Sequence, residues 1–402
     1  MKIDFKRKVL KNGMTILFER RNTPVVSVAF AIRSGGVNET KSEKGISHFI
    51  EHMLYKGTKK RNSKQIAEEI EKKGGQLNGF TGENITAFWC KIPSRYLNVA
   101  LDVLSDMVKN PLFDENEMEK ERKVIFEEIK MYKDNPRMHA MEKIHSFLYK
   151  EPFGIPILGT YESMNLINRE KITERFKESY TPDNMILCIV GNANFSRIIN
   201  FVEKSFGDEK GRISKVKVVP RNKQKIEKRK GVDQANLVFA YHVPLFKNKK
   251  SHAASILNAL MTEGMSSRLF VEIRERRNLA YALKGASEIS KNFAYNLIYV
   301  GTMKENVKKV KGLILNEFEK VSKDLTAKEL KQVKEQILGN YLISGEDSQE
   351  QMINLLQYEI EGNAEEFYNF EKNINSVKLK DVKELAKKAR EKYSFFALVP
   401  SK

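Results

Sequence analysis

Residues 9–206 and residues 236–399 run through the same order of strand-like and helical segments, and a chain patterned that way folds as two diverged copies of one α+β unit. In the first half, strand-like residues 9–10 and 14–18 flank Lys11-Asn12-Gly13, a hairpin turn of the Asn-Gly type. Val25–Ile32 is a further strand, closed by Gly35-Gly36. Helices are predicted over 46–55, ending at Gly57, and over 64–73, capped by Ser63 and stopped by Gly74-Gly75. Strand-like Gln76–Thr81 and residues 84–92 precede amphipathic helices at 96–108 and 115–132, the second opened by Asp114 and closed before Pro136. A strand at 185–190 and a helix near 195–206 complete this half. In the second half a strand at 236–242 matches Val25–Ile32, followed by helical patterns at 253–261 and 267–275 and strands at 281–286 and 295–300. Helices at 307–321 and Ala327–Ser344 and a last strand at 395–399 close the series. Between the halves, residues 211–229 are basic, polar and without helical periodicity, include Pro220, and read as a linker. The expected domains are therefore 1–210 and 230–402, joined by 211–229.

At 402 residues the chain suits two domains, and its 41% apolar content is enough for a core in each. No run of 18 apolar residues exists, and Met1-Lys2-Ile3-Asp4-Phe5-Lys6-Arg7-Lys8 lacks the apolar stretch of a secretory signal. These features predict a soluble, cytoplasmic protein with no membrane partner. Cys90 and Cys188 both sit in apolar strand-like runs and read as buried thiols, not as a disulfide or a metal pair. The net charge of +19 raises the question of a nucleic-acid partner. Lys and Glu are interspersed through 304–334 and 378–392, as on solvated helix faces, and no basic stripe interleaved with aromatics or zinc-finger spacing occurs. Nucleic acid is not expected as a partner.

One motif carries chemistry: His48-Phe49-Ile50-Glu51-His52. On a helix, positions four apart differ by about 40° in azimuth, so the two imidazoles share a face and bracket a metal ion such as zinc. Glu51 flanks that face, placed to take a proton from a water polarised by the metal and pass it to a leaving amine. The order His-x-x-Glu-His is the inverted form of the commoner zinc-protease pattern. A pair of surface histidines would be the bland reading, but Ile46, Phe49, Ile50, Met53 and Leu54 make the segment apolar nearly all round, and buried polar groups need partners. A catalytic zinc also wants a third protein ligand. The predicted helix 115–132 offers Glu115, Glu117, Glu119, Glu121, Glu127 and Glu128. Glu121 and Glu128, seven apart, share a face near the apolar seam of Met118, Val124, Ile125 and Ile129, while Glu127 lies about 100° off it. Helix geometry goes no further than that.

The run from Gly45-Ile46-Ser47-His48 through Glu51-His52-Met53-Leu54-Tyr55-Lys56-Gly57-Thr58, with Glu121-Arg122-Lys123-Val124-Ile125-Phe126-Glu127-Glu128-Ile129, resembles the pitrilysin/insulinase family of zinc metallopeptidases. The likeness is to its short-chain branch, typified by mitochondrial processing peptidase and bacterial relatives. Asn12-Gly13-Met14, Pro182-Asp183-Asn184-Met185 and Val190-Gly191-Asn192 fit the same pattern. The resemblance implies two similar domains, each a mainly antiparallel sheet packed with helices, in a clam-like arrangement. It also implies one zinc per chain on His48, His52 and Glu128, with Glu121 as a supporting carboxylate that orients a ligand imidazole. The strand holding Asn78, Gly79, Phe80 and Thr81 would pair with substrate as an added strand. Gly79 departs from the family, which usually has Asn-Ala where this chain has Asn78-Gly79.

The resemblance further singles out Arg274 and Tyr281, Tyr281 to hydrogen-bond the oxyanion and Arg274 to position substrate or Tyr281. Two-component relatives divide the zinc motif and this pair between subunits. One chain carrying both implies a homodimer, each zinc site completed by the partner subunit's Arg274 and Tyr281. The activity implied is a zinc endopeptidase cutting unfolded peptides inside a closed chamber. Its rival is a non-catalytic scaffold subunit of the same fold.

Overall fold

The structure is a computed structural model that describes residues 4–401, so Met1-Lys2-Ile3 of the N-terminal segment lie outside the described residues. The first half contains β1 (Asp4–Val9), β2 (Thr15–Arg20), β3 (Val25–Ile32), α1 (Ile46–Leu54), α2 (Ser63–Glu71), β4 (Gln76–Thr81), β5 (Thr86–Pro93), α3 (Leu97–Lys109) and α4 (Glu115–Asp134). It continues with α5 (Pro136–Leu148), α6 (Tyr161–Leu166), α7 (Arg169–Ser179), β6 (Met185–Gly191) and α8 (Phe195–Ser205). The second half holds β7 (Gln224–Arg229), β8 (Ala235–His242), α9 (Ser251–Thr262), β9 (Ala280–Ile289), β10 (Ala294–Thr302), α10 (Val307–Asp324) and α11 (Ala327–Ser344). It ends with α12 (Ser348–Glu361), α13 (Phe370–Ser376), α14 (Leu379–Glu391) and β11 (Ser394–Pro400). Among the described residues no helix is long and apolar enough to cross a membrane.

The first sheet runs β1-β2-β6-β3-β5-β4 and the second β7-β11-β8-β10-β9. Setting β1 aside, the two orders superpose element for element. β2 and β6 pair in parallel as β7 and β11 do, and every other neighbour is antiparallel. The repeat read from the sequence is thus a repeat of topology, and each domain is a mainly antiparallel sheet packed with helices. β4 is one edge of the first sheet, β1 being the other, and β9 holds the place of β4 in the second.

β3 reads as an apolar run broken only by Ser27 because both its faces are covered. Val26, Val28, Phe30 and Ile32 enter a core shared with residues of α1 and α3, whereas Ser27, on the opposite face, shares a hydrogen bond of 2.9 Å with Ser348 at the start of α12. In the second sheet Leu237, Phe239 and Tyr241 of β8 enter the corresponding core. The opposite face of that sheet receives α5, whose Phe147 meets Phe396 of β11 edge to face at 5.6 Å. So α12, from the second half of the sequence, packs on β3 and β6, and α5, from the first half, packs on β8 and β11. One compact unit holds the described chain up to Ile129 together with Ile157–Lys217 and Ser344–Phe367; the other holds Lys130–Pro156, Val218–Ile343 and Tyr368–Lys402. These ranges interleave, whereas the sequence-based boundaries keep 130–156 with the first domain and 344–367 with the second.

Several local readings are corrected. The cap of α2 is Asn62, one residue before Ser63: its Oδ1 accepts from Gln65 N at 2.9 Å and the Gln65 side chain returns the bond to Asn62 N. The last six residues of the expected linker form β7, an edge strand whose lysines and arginines mask its pairing signal. Pro136 closes α4 but also opens α5 at its first turn, with Asn135 Oδ1 accepting from Arg137 N and Met138 N. Within the predicted helix 267–275, Phe270–Glu275 is a π-helical turn. Cys90 and Cys188 are buried free thiols, as expected.

Candidate metal centre

α1 is fixed from its N-terminus. Gly45 begins it in the left-handed region (φ 95°), and a Cβ there would stand 2.6 Å from Met164 and 2.7 Å from the Leu158 carbonyl, so only glycine fits. The amides of Gly45 and Ser47 donate to the buried Glu39 carboxylate at 3.0 and 2.8 Å, placing negative charge where the helix dipole favours it. Lys44 Nζ, fully buried, lies 3.8 Å from the same carboxylate. Ile46, Phe49, Ile50, Met53 and Leu54 then anchor the inner side of the helix in the core.

On the remaining face His48 and His52 stand with ring centroids 4.6 Å apart. α4 crosses them with two carboxylates on one of its faces. Glu128 Oε2 lies 3.6 Å from His48 Nε2 and 3.9 Å from His52 Nε2. Glu121 Oε2 lies 3.0 Å from His52 Nδ1 and accepts its proton, which leaves the Nε2 lone pair free for a ligand. The other oxygen of Glu121 meets Lys56 Nζ at 2.6 Å. Glu127 is exposed on another face of α4. Helix periodicity had left the third ligand open between Glu121 and Glu128; the geometry brings Glu128 to both Nε2 atoms and Glu121 behind His52.

Burial, and then the neighbouring His52, push the His48 imidazole down to about 3, so it is neutral and able to donate a lone pair at ordinary pH. Burial raises the Glu128 carboxyl, with His52 opposing. Among the described residues, His48, His52 and Glu128 are the one group with metal-ligating atoms all within 4.8 Å of one another. Two imidazoles and one carboxylate match the donor set of a catalytic zinc, and their spacings approach the roughly 3.3 Å that tetrahedral bonds of about 2.0–2.1 Å require. The residues present therefore fit zinc.

Glu51 sits beside this triad. Its Oε2 accepts from Thr81 Oγ1 at 3.0 Å, and burial raises its carboxyl above the usual range. Of the predicted strand residues, Thr81 thus touches Glu51, while Asn78 turns its Oδ1 back onto the Gly79 amide at 2.8 Å. Lys56 and Tyr55 also reach this cluster, Lys56 at Glu121 and Tyr55 beside Gly79. Their spacing was the available signal, since Lys56 lies four residues after His52 and Tyr55 four after Glu51, each pair on one helix face.

Arg274 and Tyr281 belong to the second unit. Arg274 lies in the π-helical turn, exposed, its guanidinium over the Phe270 ring at 4.9 Å. Asn278, in the left-handed region (φ 50°), closes that turn by donating its amide to the Arg274 carbonyl, and β9 begins two residues later. Tyr281 is half exposed, its ring lying across Gly301 of β10.

The sequence profile of insulinase (peptidase family M16) matches residues 15–161, and that of the peptidase M16 inactive domain matches residues 166–337. The chain is similar to the uncharacterized zinc protease YmxG of Bacillus subtilis (strain 168), at 33% identity over 408 residues covering 98% of each chain. An uncharacterized zinc protease of Rickettsia bellii is also 33% identical, over 86% of this chain and 85% of its own. Among solved structures, a protease from Helicobacter pylori superposes with a TM-score of 0.90 at 22% identity, covering 99% of this chain and all of the other. A peptidase M16 inactive domain from Pseudomonas fluorescens does so at 0.89 and 18%, covering 99% of both. At those identities the two structures attest the fold, and the curated relatives carry the family: this chain belongs to the insulinase family of peptidases, M16.

Proposed function

We propose that the protein is a zinc-dependent endopeptidase acting on unfolded peptides, with His48, His52 and Glu128 as metal ligands and Glu51 as general base. The observation that carries this reading is the convergence of three ligand atoms within 4.8 Å, with the Glu51 carboxylate alongside on the same helix. Zinc held there would supply Lewis acidity to the scissile carbonyl and to the attacking water. Glu51 accepts the proton of that water and returns it to the leaving amine, while Thr81 holds its second oxygen. Glu121, between Lys56 and His52, fixes the imidazole in the tautomer that ligates through Nε2. The free edge of β4 receives the peptide as an added strand, which displaces the Asn78 side chain from the Gly79 amide.

The same proposal makes the working form a cytoplasmic homodimer enclosing a chamber. Each zinc site is completed by the partner subunit's Arg274, which positions substrate, and the partner subunit's Tyr281, which donates to the oxyanion. The exposure of both side chains supports this assignment. The match to an inactive domain gives the scaffold reading little weight, because residues 166–337 contain none of His48, Glu51, His52 and Glu128.

The test is metal analysis and hydrolysis of an unstructured fluorogenic peptide by the purified protein. Expected are about one zinc per chain, hydrolysis abolished by a chelator, and recovery on adding zinc back. Bound zinc without hydrolysis of any peptide would favour the scaffold. A second expectation concerns Glu121: its replacement by Ala lowers zinc affinity about 10–100-fold in chelator competition. Unchanged affinity would show that His52 is oriented without it.

A further inference from the structure

Behind Glu51 lie two buried phenols with no hydrogen-bond partner among the described residues, Tyr55 at the end of α1 and Tyr180 after α7. Buried hydroxyls are ordinarily paired, so two of them together against one carboxylate call for an account. Glu51 is the charged group that acts on both. Their rings are held in an aromatic row: Tyr55 packs at 6.0 Å from Phe88, Phe88 at 6.4 Å from Tyr180, and Tyr180 stacks on Phe176 at 4.5 Å.

Gly79 of β4 makes the arrangement possible. A Cβ on this residue would stand 2.7 Å from Tyr55 Oη, 3.0 Å from the Ala87 carbonyl and 3.1 Å from Glu51 Oε1. The phenol oxygen and Oε1 therefore flank the space that a Cβ would take, at most one bridging water apart. Oε1 is also the oxygen that Thr81 leaves unheld, since Thr81 donates to Oε2. Gly79 is thus the residue that lets a hydroxyl approach the base.

We infer that Tyr55 is a positioning residue for Glu51, its hydroxyl donating to Oε1 across one water, beside the position that Gly79 leaves without a side chain. The inference rests on Glu51 being the general base. Thr81 and Tyr55 then restrain one carboxylate oxygen each, so the base is presented to its water in one orientation.

The test compares wild type, Tyr55→Phe, Gly79→Ala and the double variant, with Glu51→Gln as control, on zinc-loaded protein and an unstructured peptide. Tyr55→Phe keeps the ring packing and removes only the hydroxyl. It should lower kcat about tenfold with KM and zinc content unchanged. Gly79→Ala should lower both kcat and the thermal midpoint of the metal-free protein, and Tyr55→Phe added to it should raise that midpoint again by removing the colliding oxygen. A wild-type kcat for Tyr55→Phe overturns the inference, as does a double variant melting no higher than Gly79→Ala. If Glu51→Gln is inactive while Tyr55→Phe is not impaired, the inference alone falls. If Glu51→Gln hydrolyses as fast as wild type, the base assignment beneath it falls.

Discussion

Replacing Glu51 with Gln should leave about one zinc per chain and slow peptide hydrolysis roughly 10³-fold, a loss in kcat. Glu51 is outside the set of three ligand atoms that converge, so its loss removes no donor from the metal. Glutamine has the same shape, and its carbonyl oxygen can still accept from Thr81, as Glu51 Oε2 does now. What glutamine lacks is a basic oxygen. The effect should therefore fall on the proton-transfer step and spare both metal and peptide binding. Metal analysis and steady-state kinetics on the same preparation decide the matter. Loss of zinc from the variant would make Glu51 a ligand, and a small loss of kcat would mean that another group takes the proton.

Glu359→Ala should destabilise the fold by about 3 kcal/mol, or lower the melting midpoint by roughly 6–12 °C. Glu359 sits on α12, with its side chain 1% exposed. It accepts from Arg7 Nε at 2.8 Å and Nη2 at 2.9 Å, from Arg33 Nη2 at 2.9 Å, and from the Ala364 amide at 3.1 Å. Its removal strands two guanidinium groups under the helix that covers the first sheet, and their partial access to water keeps the estimate at the low end of the buried-pair range. Burial pushes the Glu359 carboxyl up, but the hydrogen bonds from Arg7 and Arg33 outweigh it and hold the carboxyl below its usual range. A depressed folded value means that this stabilisation is complete above the ordinary carboxylate pKa of about 4.3 and is lost as pH falls through the folded value. The gap in melting midpoint between wild type and Glu359→Ala should thus be widest near neutrality and shrink in acid. A gap independent of pH would show that packing, not the ion pair, is what the substitution removes.

The site was legible where its signal is local. His48, Glu51 and His52 lie within one helical turn and a half, so the 3.6-residue period alone puts them on neighbouring faces. Glu121 and Glu128 were legible as a pair, because seven residues return to one face of α4, yet their division of labour depends on how α4 crosses α1. The place of the Tyr55 hydroxyl beside Gly79 was legible only as a helix spacing from Glu51, because the rest depends on which strand lies beneath α1. In the fold, the doubling of the unit followed from the repeated order of strand-like and helical segments, whereas the order of strands within each sheet did not. Nor did the placing of the helices α5 and α12. Asn135-Pro136 ends one helix and starts the next within two residues, and nothing in either helix's own sequence says which sheet it will cover.

That crossing of α5 and α12 has a consequence for how the protein is made. When the first sheet has been synthesised through β6, the face of β3 and β6 that α12 will cover is still bare, because α12 lies more than 150 residues downstream. α5, by contrast, is already outside the ribosome with no second sheet to rest on. Each growing half therefore exposes an apolar surface until the other arrives, and the first unit cannot finish ahead of the second, as successive domains in a nascent chain usually do. The sheet of each domain waits on a helix from the other half of the sequence, and the face of β3 and β6 stays uncovered from the end of β6 until α12 is made.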